Sequence, residues 1–179
     1  LTVDGCKKAT DFVNFCDAFN IPVLALVNVK GYKQSKCTER RIAKAAGRLT
    51  YAFANADVPK VTVVIGEAYG SAYVTMNSKS IGADIVYAWP DAKIGMMDAA
   101  AAVKIMYAEE ISASDKAAAL ISEKAAEYEA LQSSAAAAAG RGYVDDIIKA
   151  DETRQRVIAA FEMLFTKREG RPSRKHGTV

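Results

Sequence analysis

Residues 61–76, VTVVIGEAYGSAYVTM, decide the fold that this sequence predicts. The run opens with mostly β-branched residues between Pro59 and Gly66, which favours a buried strand of a largely parallel sheet over a helix. Gly66 and Gly70 then bracket a predicted tight turn, because glycine permits backbone conformations and close approaches that a side chain blocks. Small residues follow and predict the start of a helix. The stretch therefore predicts a strand, a turn and a helix.

The first backbone amides of this helix are candidate binding groups. Ser71 and Ala72 stand where a helix presents N–H groups that have no acceptor within the helix. Such amides can stabilise an oxyanion that develops in a neighbouring cleft. An ordinary connection between a strand and a helix has the same short glycine pattern, so the pattern alone leaves both interpretations open.

Upstream of this stretch, apolar periodicity predicts two helices and a strand. Residues 6–19 are typical of an amphipathic helix that packs on the sheet through Ala9, Phe12, Val13, Cys16 and Phe19. Residues 21–29 predict a strand with few polar interruptions, residues 30–37 a polar loop, and residues 38–56 a second helix. The alternation of helix and strand predicts ββα or βαβ units.

Downstream, the pattern continues with shorter elements. We expect a helix near residues 72–79, strands around 85–87 and 93–95, a helix capped by Asp98, a long helix or helical pair over 114–139 capped by Ser114, and a last helix over 151–165. The last helix is predicted to bury Val157, Ile158, Phe161, Leu164 and Phe165. Trp89 is interpreted as a core or interface anchor, and Asp145 and Asp146 as a solvated loop or cap rather than a metal site.

Composition excludes several function classes. A chain of 179 residues with 51% hydrophobic residues can bury one sizeable core, and a net charge of +3 gives no reason to expect nucleic acid as a partner. Cys6, Cys16 and Cys37 lack Cys-x-x-Cys spacing, which favours neither a disulfide scaffold nor a zinc site and is typical of a reduced, cytoplasmic compartment. No apolar run approaches the ~18 residues of a membrane span. Residues 167–179 predict a basic, flexible tail, which contains the single histidine, His176.

A series of short motifs occurs in a fixed order: DVPKVTV at 57–63, AYGSAY at 68–73, MNSK at 76–79, GAD at 82–84, YAWP at 87–90 and AKI at 92–94. Through these motifs residues 54–111 resemble the carboxyltransferase subunits of biotin-dependent acyl-CoA carboxylases and decarboxylases. Weaker matches occur at FCDAFNIP (15–22), TR (153–154) and KHG (175–177). The resemblance implies a crotonase-like α/β fold of repeated ββα units with flanking helices. It also implies that residues 1–179 form one domain, the C-terminal, biotin-side half of such a subunit.

The resemblance implies a reaction and a site. Family members move a carboxyl group between biotin, held by a separate carrier protein, and the α-carbon of a short acyl-CoA. Two backbone amides stabilise the charge on the biotin ureido oxygen, and here they would belong to Ser71 and Ala72. Substrate contacts would come from Gly70, Tyr73, Val74, Gly31, Tyr32 and Met97.

The resemblance also implies partners. They are an N-terminal carboxyltransferase half, a biotin carboxyl carrier protein and further copies in a homo- or hetero-oligomer, with a membrane involved only indirectly, in a decarboxylase pump. Without the N-terminal half, we expect the chain to be inactive towards acyl-CoA.

Several residues depart from the family pattern. Lys30 replaces a proline, Ser71, Asp98 and Ala101 stand where glycine is usual, and a His-Gly pair is absent at residues 45–46. These departures motivate a second hypothesis, a non-catalytic scaffold or assembly subunit of such a complex. A third hypothesis is a crotonase-superfamily serine hydrolase that uses Ser71 as nucleophile. The single histidine counts against it, because Ser71 would need a nearby base and His176 lies in the predicted tail.

Overall fold

The computed structural model describes residues 1–114 and 116–170. The helices in these residues are α1 (Val3–Ala18), α2 (Lys36–Asn55), α3 (Gly70–Thr75), α4 (Ala99–Met106), α5 (Ala108–Ala113), α6 (Ala117–Tyr128), α7 (Ala135–Gly140) and α8 (Thr153–Met163). The strands are β1 (Val23–Val29), β2 (Lys60–Tyr69), β3 (Ile85–Ala88), β4 (Lys93–Gly95) and β5 (Asp146–Ile147). A 3₁₀ turn covers Lys79–Ile81 and a π-helical turn covers Glu129–Ser133.

The sheet is parallel and is built around β2. β1 pairs with β2. On the other side of β2, β3 pairs with the first half of β2 and β4 pairs with its second half. β5 pairs with β3. Val29 lies opposite Ala68, and Gly95 lies opposite Tyr69. The carboxyl ends of β1, β2 and β4 therefore meet next to the start of α3. The predicted α/β fold with a mostly parallel sheet is confirmed.

The predicted tight turn between Gly66 and Gly70 is wrong, because β2 continues through Gly66 to Tyr69. The pairing of β1 with β2 is irregular between Val27 and Val29, and the Asn28 side chain accepts a hydrogen bond from the Glu67 amide at 3.1 Å. A Cβ atom at Gly66 would lie 2.9 Å from Asn28 Oδ1. This glycine therefore permits close packing inside a strand.

The helices cover both faces of the sheet. On one face, α1 and α2 pack around a core that contains Val13, Val23, Leu49 and Phe53. On the other face, Val157 and Ala160 of α8 pack on Val61 and Val63 of β2, with Trp89 partly buried beside them. The indole nitrogen of Trp89 donates a hydrogen bond to Thr153 Oγ1 at 2.9 Å. This contact agrees with the interpretation of Trp89 as an anchor.

Two of the predicted apolar helix faces are partly wrong. In α1, Val13 and Cys16 are buried, but Phe12 is 59% exposed, and Phe19, just after the helix, is 65% exposed. In α8, Val157 is buried, Phe161 is partly buried and Ile158 is 48% exposed. Just after α8, Leu164 is partly buried and Phe165 is 79% exposed. A single helical stripe meets the core in each case. The remaining apolar residues lie on the surface of the described chain.

The predicted region 114–139 contains a pair of helices, α6 and α7, joined by the π-helical turn, which agrees with one of the two predicted alternatives. Asp98 caps α4 as predicted, and its carboxylate accepts hydrogen bonds from the amides of Ala100 and Ala101 at 3.1 and 3.3 Å. The prediction for Ser114 is wrong, because α6 begins three residues later, after Lys116. Ser134 caps α7 instead, accepting a hydrogen bond from the Ala137 amide.

The start of the predicted flexible tail is part of the folded domain. The Lys167 side chain is 8% exposed and forms ion pairs with Asp84 and Glu169 at 3.0 and 2.9 Å. The side chain of the first residue of the predicted tail is therefore held against the sheet. Residues 171–179, which include His176, lie outside the described residues. Within the described ranges, no helix combines the length and apolar character that crossing a membrane requires.

Candidate active site

The start of α3 presents two adjacent backbone donors. Tyr69, the residue before the helix, makes no capping hydrogen bond with its side chain. Ser71 and Ala72 are the second and third residues of α3, so no carbonyl within the helix can accept a hydrogen bond from their amides. Gly70 adopts a φ of +59°, and a Cβ atom there would lie 3.0 Å from the Met96 carbonyl oxygen. The Met96 carbonyl, just after β4, therefore packs closely against the start of α3.

The loop after β1 packs on α3 through Tyr32. The Tyr32 hydroxyl donates to the Ser71 carbonyl at 3.2 Å and shares a 2.8 Å hydrogen bond with Thr75 Oγ1. Thr75 Oγ1 also contacts the Ser71 carbonyl at 3.0 Å and receives a hydrogen bond from Thr50 at 3.2 Å. The structure thus brings the loop 31–32 and the Ser71–Ala72 pair together. Sequence reasoning missed Thr50 and Thr75, since isolated threonines on helices give no distinctive pattern.

The segment after β4 forms another part of the same neighbourhood. Met97 is 36% exposed and directly follows Met96, whose carbonyl approaches Gly70. Val74, on α3, is 36% exposed, and Ser71 is exposed as well. The candidate site therefore combines two amide donors with accessible apolar side chains.

Tyr73 differs from the other predicted substrate contacts because its side chain is buried. Its hydroxyl has no hydrogen-bond partner among the described residues, and burial raises its pKa to about 12. Burial, followed by the charges of Glu67, Asp98 and Glu129, also raises the pKa of Tyr69 to about 12. Both phenols are neutral at physiological pH, so neither is a general base.

Two of the residues that depart from the pattern of the resembled family, Lys30 and Asp98, have structural partners. Lys30, where the family has proline, forms an ion pair with Glu67 at 2.8 Å and joins the loop after β1 to β2. Asp98, where the family has glycine, caps α4. These contacts show how the fold accommodates both changes.

Asp145 and Asp146 each pair with a basic side chain. Asp145 pairs with Lys79 at 2.8 Å and accepts a hydrogen bond from the Val86 amide, whereas Asp146 pairs with Arg156 at 3.6 Å. Within the described ranges, no group of three histidine, cysteine or acidic side chains is arranged to hold a metal ion. The two aspartates connect β5 to its neighbours.

The parallel sheet and the helix that starts at Gly70 define a crotonase-like α/β domain. The profile of the carboxyl transferase domain matches residues 1–179, and the chain therefore belongs to that family. It is 43% identical over 178 residues to the methylmalonyl-CoA carboxyltransferase 12S subunit of Propionibacterium freudenreichii subsp. shermanii, covering 99% of this chain and 34% of that protein. It is 43% identical over 180 residues to the methylmalonyl-CoA decarboxylase subunit alpha of Propionigenium modestum, covering 100% of this chain and 35% of that protein.

Solved structures agree with this assignment. A transcarboxylase 12S structure with methylmalonyl-coenzyme A and methylmalonic acid bound superposes with a TM-score of 0.95 at 42% identity, covering 99% of this chain and 34% of that one. The resemblance inferred from the motifs is confirmed. The chain spans about a third of the length of the relatives that it matches.

Proposed function

We propose that this chain forms the biotin-facing part of the active site of a biotin-dependent carboxyltransferase that acts on a short acyl-CoA. Membership of the carboxyl transferase domain family supports the reaction class. The names of the relatives, a methylmalonyl-CoA carboxyltransferase and a methylmalonyl-CoA decarboxylase, support the substrate class. The observation that carries the proposal is the pair of amides at Ser71 and Ala72 in the first turn of α3, which have no acceptor within the helix and no side-chain cap from Tyr69.

These amides fit the chemistry of a biotin ureido group. The carbonyl oxygen of that group accepts hydrogen bonds, and it gains negative charge when carboxybiotin releases its carboxyl group. Two N–H donors at the start of a helix stabilise such charge through hydrogen bonds and the helix dipole. Removal of one donor of this kind costs roughly 10²–10³ in rate.

The surrounding contacts hold these donors in place. Tyr32 and Thr75 hydrogen-bond to the Ser71 carbonyl, so the peptide groups at the start of α3 are fixed from the loop side as well as from the helix. A donor that is fixed before the reaction needs no reorganisation when charge develops. Val74 and Met97 add exposed apolar surface nearby, which suits a small acyl group.

The proposal assigns other steps to other polypeptides. Biotin comes on a separate carboxyl carrier protein, and the thioester carbonyl is held by an N-terminal carboxyltransferase half. In our proposal the assembly is an oligomer in the cytoplasm, or the soluble part of a decarboxylase pump. The hexamer assembly named for the transcarboxylase 12S structure supports an oligomer.

The test is a titration of the isotope-labelled full chain with free biotin, followed by the NMR shifts of the amides of residues 70–73. Ser71→Pro removes one donor at a first-turn position where proline is compatible with a helix, and Ser71→Ala keeps the N–H and removes only the hydroxyl. We expect saturable shifts in the wild type and in Ser71→Ala, and their loss in Ser71→Pro. Circular dichroism of each variant verifies that the fold is intact. Shifts that survive in Ser71→Pro would contradict the assignment of the donors.

The scaffold hypothesis is the second candidate, favoured by the structural partners of Lys30 and Asp98. Ser71→Gly in a reconstituted complex separates the two functions. Carboxyl transfer that is retained or increased supports the catalytic proposal, because glycine supplies the same amide. If neither the wild-type complex nor the Ser71→Gly complex transfers a carboxyl group, the result supports a scaffold. For the serine hydrolase, the described residues supply no hydrogen-bond partner to Ser71 Oγ, so nothing favours it.

A further inference from the structure

A basic groove lies between α1 and α2, and the side chains that line it have no assigned part in the proposed carboxyltransferase chemistry. It encloses about 260 Å³, and its cationic side chains are Lys7, Arg40, Arg41, Lys44 and Arg48. Val3 and Ala45, which are 2% and 4% exposed, also line it. The groove therefore has a positively charged rim and an apolar floor.

Helical spacing explains how these charges come together. Arg40, Lys44 and Arg48 are spaced four residues apart and so lie on one face of α2. Lys7 of α1 completes the groove from the facing helix. α2 contains five basic residues and one acidic residue, whereas the net charge of the whole chain is only +3. Positive charge is thus concentrated on this helix.

The charges of the groove are not neutralised by neighbouring acids. None of the five cations belongs to an ion pair found in residues 1–114 and 116–170. Arg41 Nε donates to the Cys37 carbonyl at 3.3 Å, which leaves its charge uncompensated. Like charges four residues apart on a helix destabilise it. A bound anion would relieve this repulsion.

We propose that this groove binds the phosphate groups of a phosphorylated small molecule. The planar fork of an arginine side chain matches the oxygens of a phosphate, and lysine adds a compact charge. The cavity has the size of a small ligand group, and its buried floor of Val3 and Ala45 excludes water beneath the bound anion. The inference does not depend on the biotin site. The phosphate could belong to a free diphosphate or to a nucleotide ester such as coenzyme A.

The test is an NMR titration of the full chain with inorganic pyrophosphate in one arm and coenzyme A in another. We expect saturable amide shifts at residues 3–7 and 40–48. Lys7→Gln and Lys44→Gln should each raise the Kd for pyrophosphate about tenfold, because each removes a charge-assisted contact. Lys8→Gln is the matched control: Lys8 is exposed, adjacent to Lys7 and outside the groove, so its Kd should equal that of the wild type.

The outcomes distinguish the sources of the phosphate. Equal affinities for pyrophosphate and coenzyme A support a free diphosphate, whereas tighter binding of coenzyme A supports a nucleotide ester. The proposal is overturned if neither probe gives saturable shifts at millimolar concentration, if Lys8→Gln weakens binding as much as Lys7→Gln, or if only a glutamate-rich peptide occupies the groove. The two lysines in the groove are exposed, so circular dichroism should show the variants to be folded.

Discussion

At the scale of single residues, two neighbours on the chain contribute to the candidate site in different ways. Gly70 is required by geometry, because its φ is +59° and the Met96 carbonyl leaves little room for a Cβ atom. Ser71 contributes a backbone amide, which glycine would supply equally well. The side chain of Ser71 is exposed, so the fold accommodates it without displacing its neighbours. Serine at position 71, where glycine is usual, therefore preserves the backbone N–H donor.

Gly70→Ala should destabilise the domain and weaken biotin binding. A non-glycine residue with positive φ costs about 1–2 kcal/mol, and contact with the Met96 carbonyl adds to that. Gly140→Ala is the control, since a Cβ atom there meets nothing within 4 Å. Urea unfolding of both variants measures the difference. Equal stabilities would show that Gly70 is not constrained as described.

Tyr73→Phe should stabilise the domain, by roughly 1 kcal/mol, because it removes a buried hydroxyl that has no partner among the described residues. The effect also depends on pH. The pKa of Tyr73 is raised by burial from 10 to about 12, so the folded state holds its proton more tightly than the unfolded state. Titration of Tyr73 therefore leaves the stability unchanged below pH 10 and lowers it as the pH rises from 10 to 12.

The measurement is urea unfolding of wild type and Tyr73→Phe at pH 8 and near pH 11. We expect the stability of the wild type to fall more steeply with pH, since the variant lacks this titrating group. Tyr69, whose pKa is raised in the same direction, remains in both proteins and cancels in the comparison. Parallel pH profiles would refute the role of Tyr73.

At the scale of elements, helix caps show the limits of local sequence. Asp98 was predicted to cap α4 and does so, since apolar residues follow it directly. Ser114 was predicted as a cap, but α6 starts after Lys116. Ser134, in an alanine-rich run, was not predicted, yet it caps α7. Alanine favours a helix throughout this region, so composition cannot indicate where one helix ends and the next begins.

Asp98→Ala should lower the free energy of unfolding by about 1 kcal/mol, because the amides of Ala100 and Ala101 lose their acceptor. Asp98→Asn keeps a capping oxygen and should change stability much less. Calorimetric unfolding of the two variants provides the comparison. If they are equally destabilised, the charge of Asp98 matters rather than its hydrogen bonds.

At the scale of the whole molecule, Lys167 joins the end of the described chain to the sheet. Its ammonium group contacts Asp84 at 3.0 Å and donates to the Val58 carbonyl at 3.3 Å. Asp84 also accepts a hydrogen bond from the Lys60 amide at 2.7 Å, at the start of β2. The segment that follows α8 is therefore attached to the central strand.

A double-mutant cycle with Lys167→Met and Asp84→Asn should give a coupling energy of about 0.5–3 kcal/mol, since both side chains are largely buried. The surface pair Lys124–Glu127 is the comparison. A cycle with Lys124→Met and Glu127→Gln should give a much smaller coupling energy, because water screens exposed charges. Urea unfolding measures both cycles. Similar coupling energies would mean that burial does not strengthen the Lys167 pair.

The apolar surface is also decided at this scale. A helical apolar pattern includes Phe12 of α1 and Ile158 of α8, together with Phe19 and Phe165 just after these helices, yet all four are exposed in the described chain. Periodicity identifies residues that avoid water, but it does not say whether a core or another surface covers them.

The sequence by itself determined the strand β2, the start of α3 near Gly70, the alternation that yields a parallel sheet, and the family. Each of these depends on residues close together in the chain, where β-branched runs, glycines and short motifs act locally. Only the tertiary structure decided that β2 continues through Gly66, that Tyr32 holds the Ser71 carbonyl, and that Lys167 pairs with Asp84. The last two contacts join residues 39 and 83 positions apart. Such contacts depend on how the packed elements are placed in space, which no local pattern encodes.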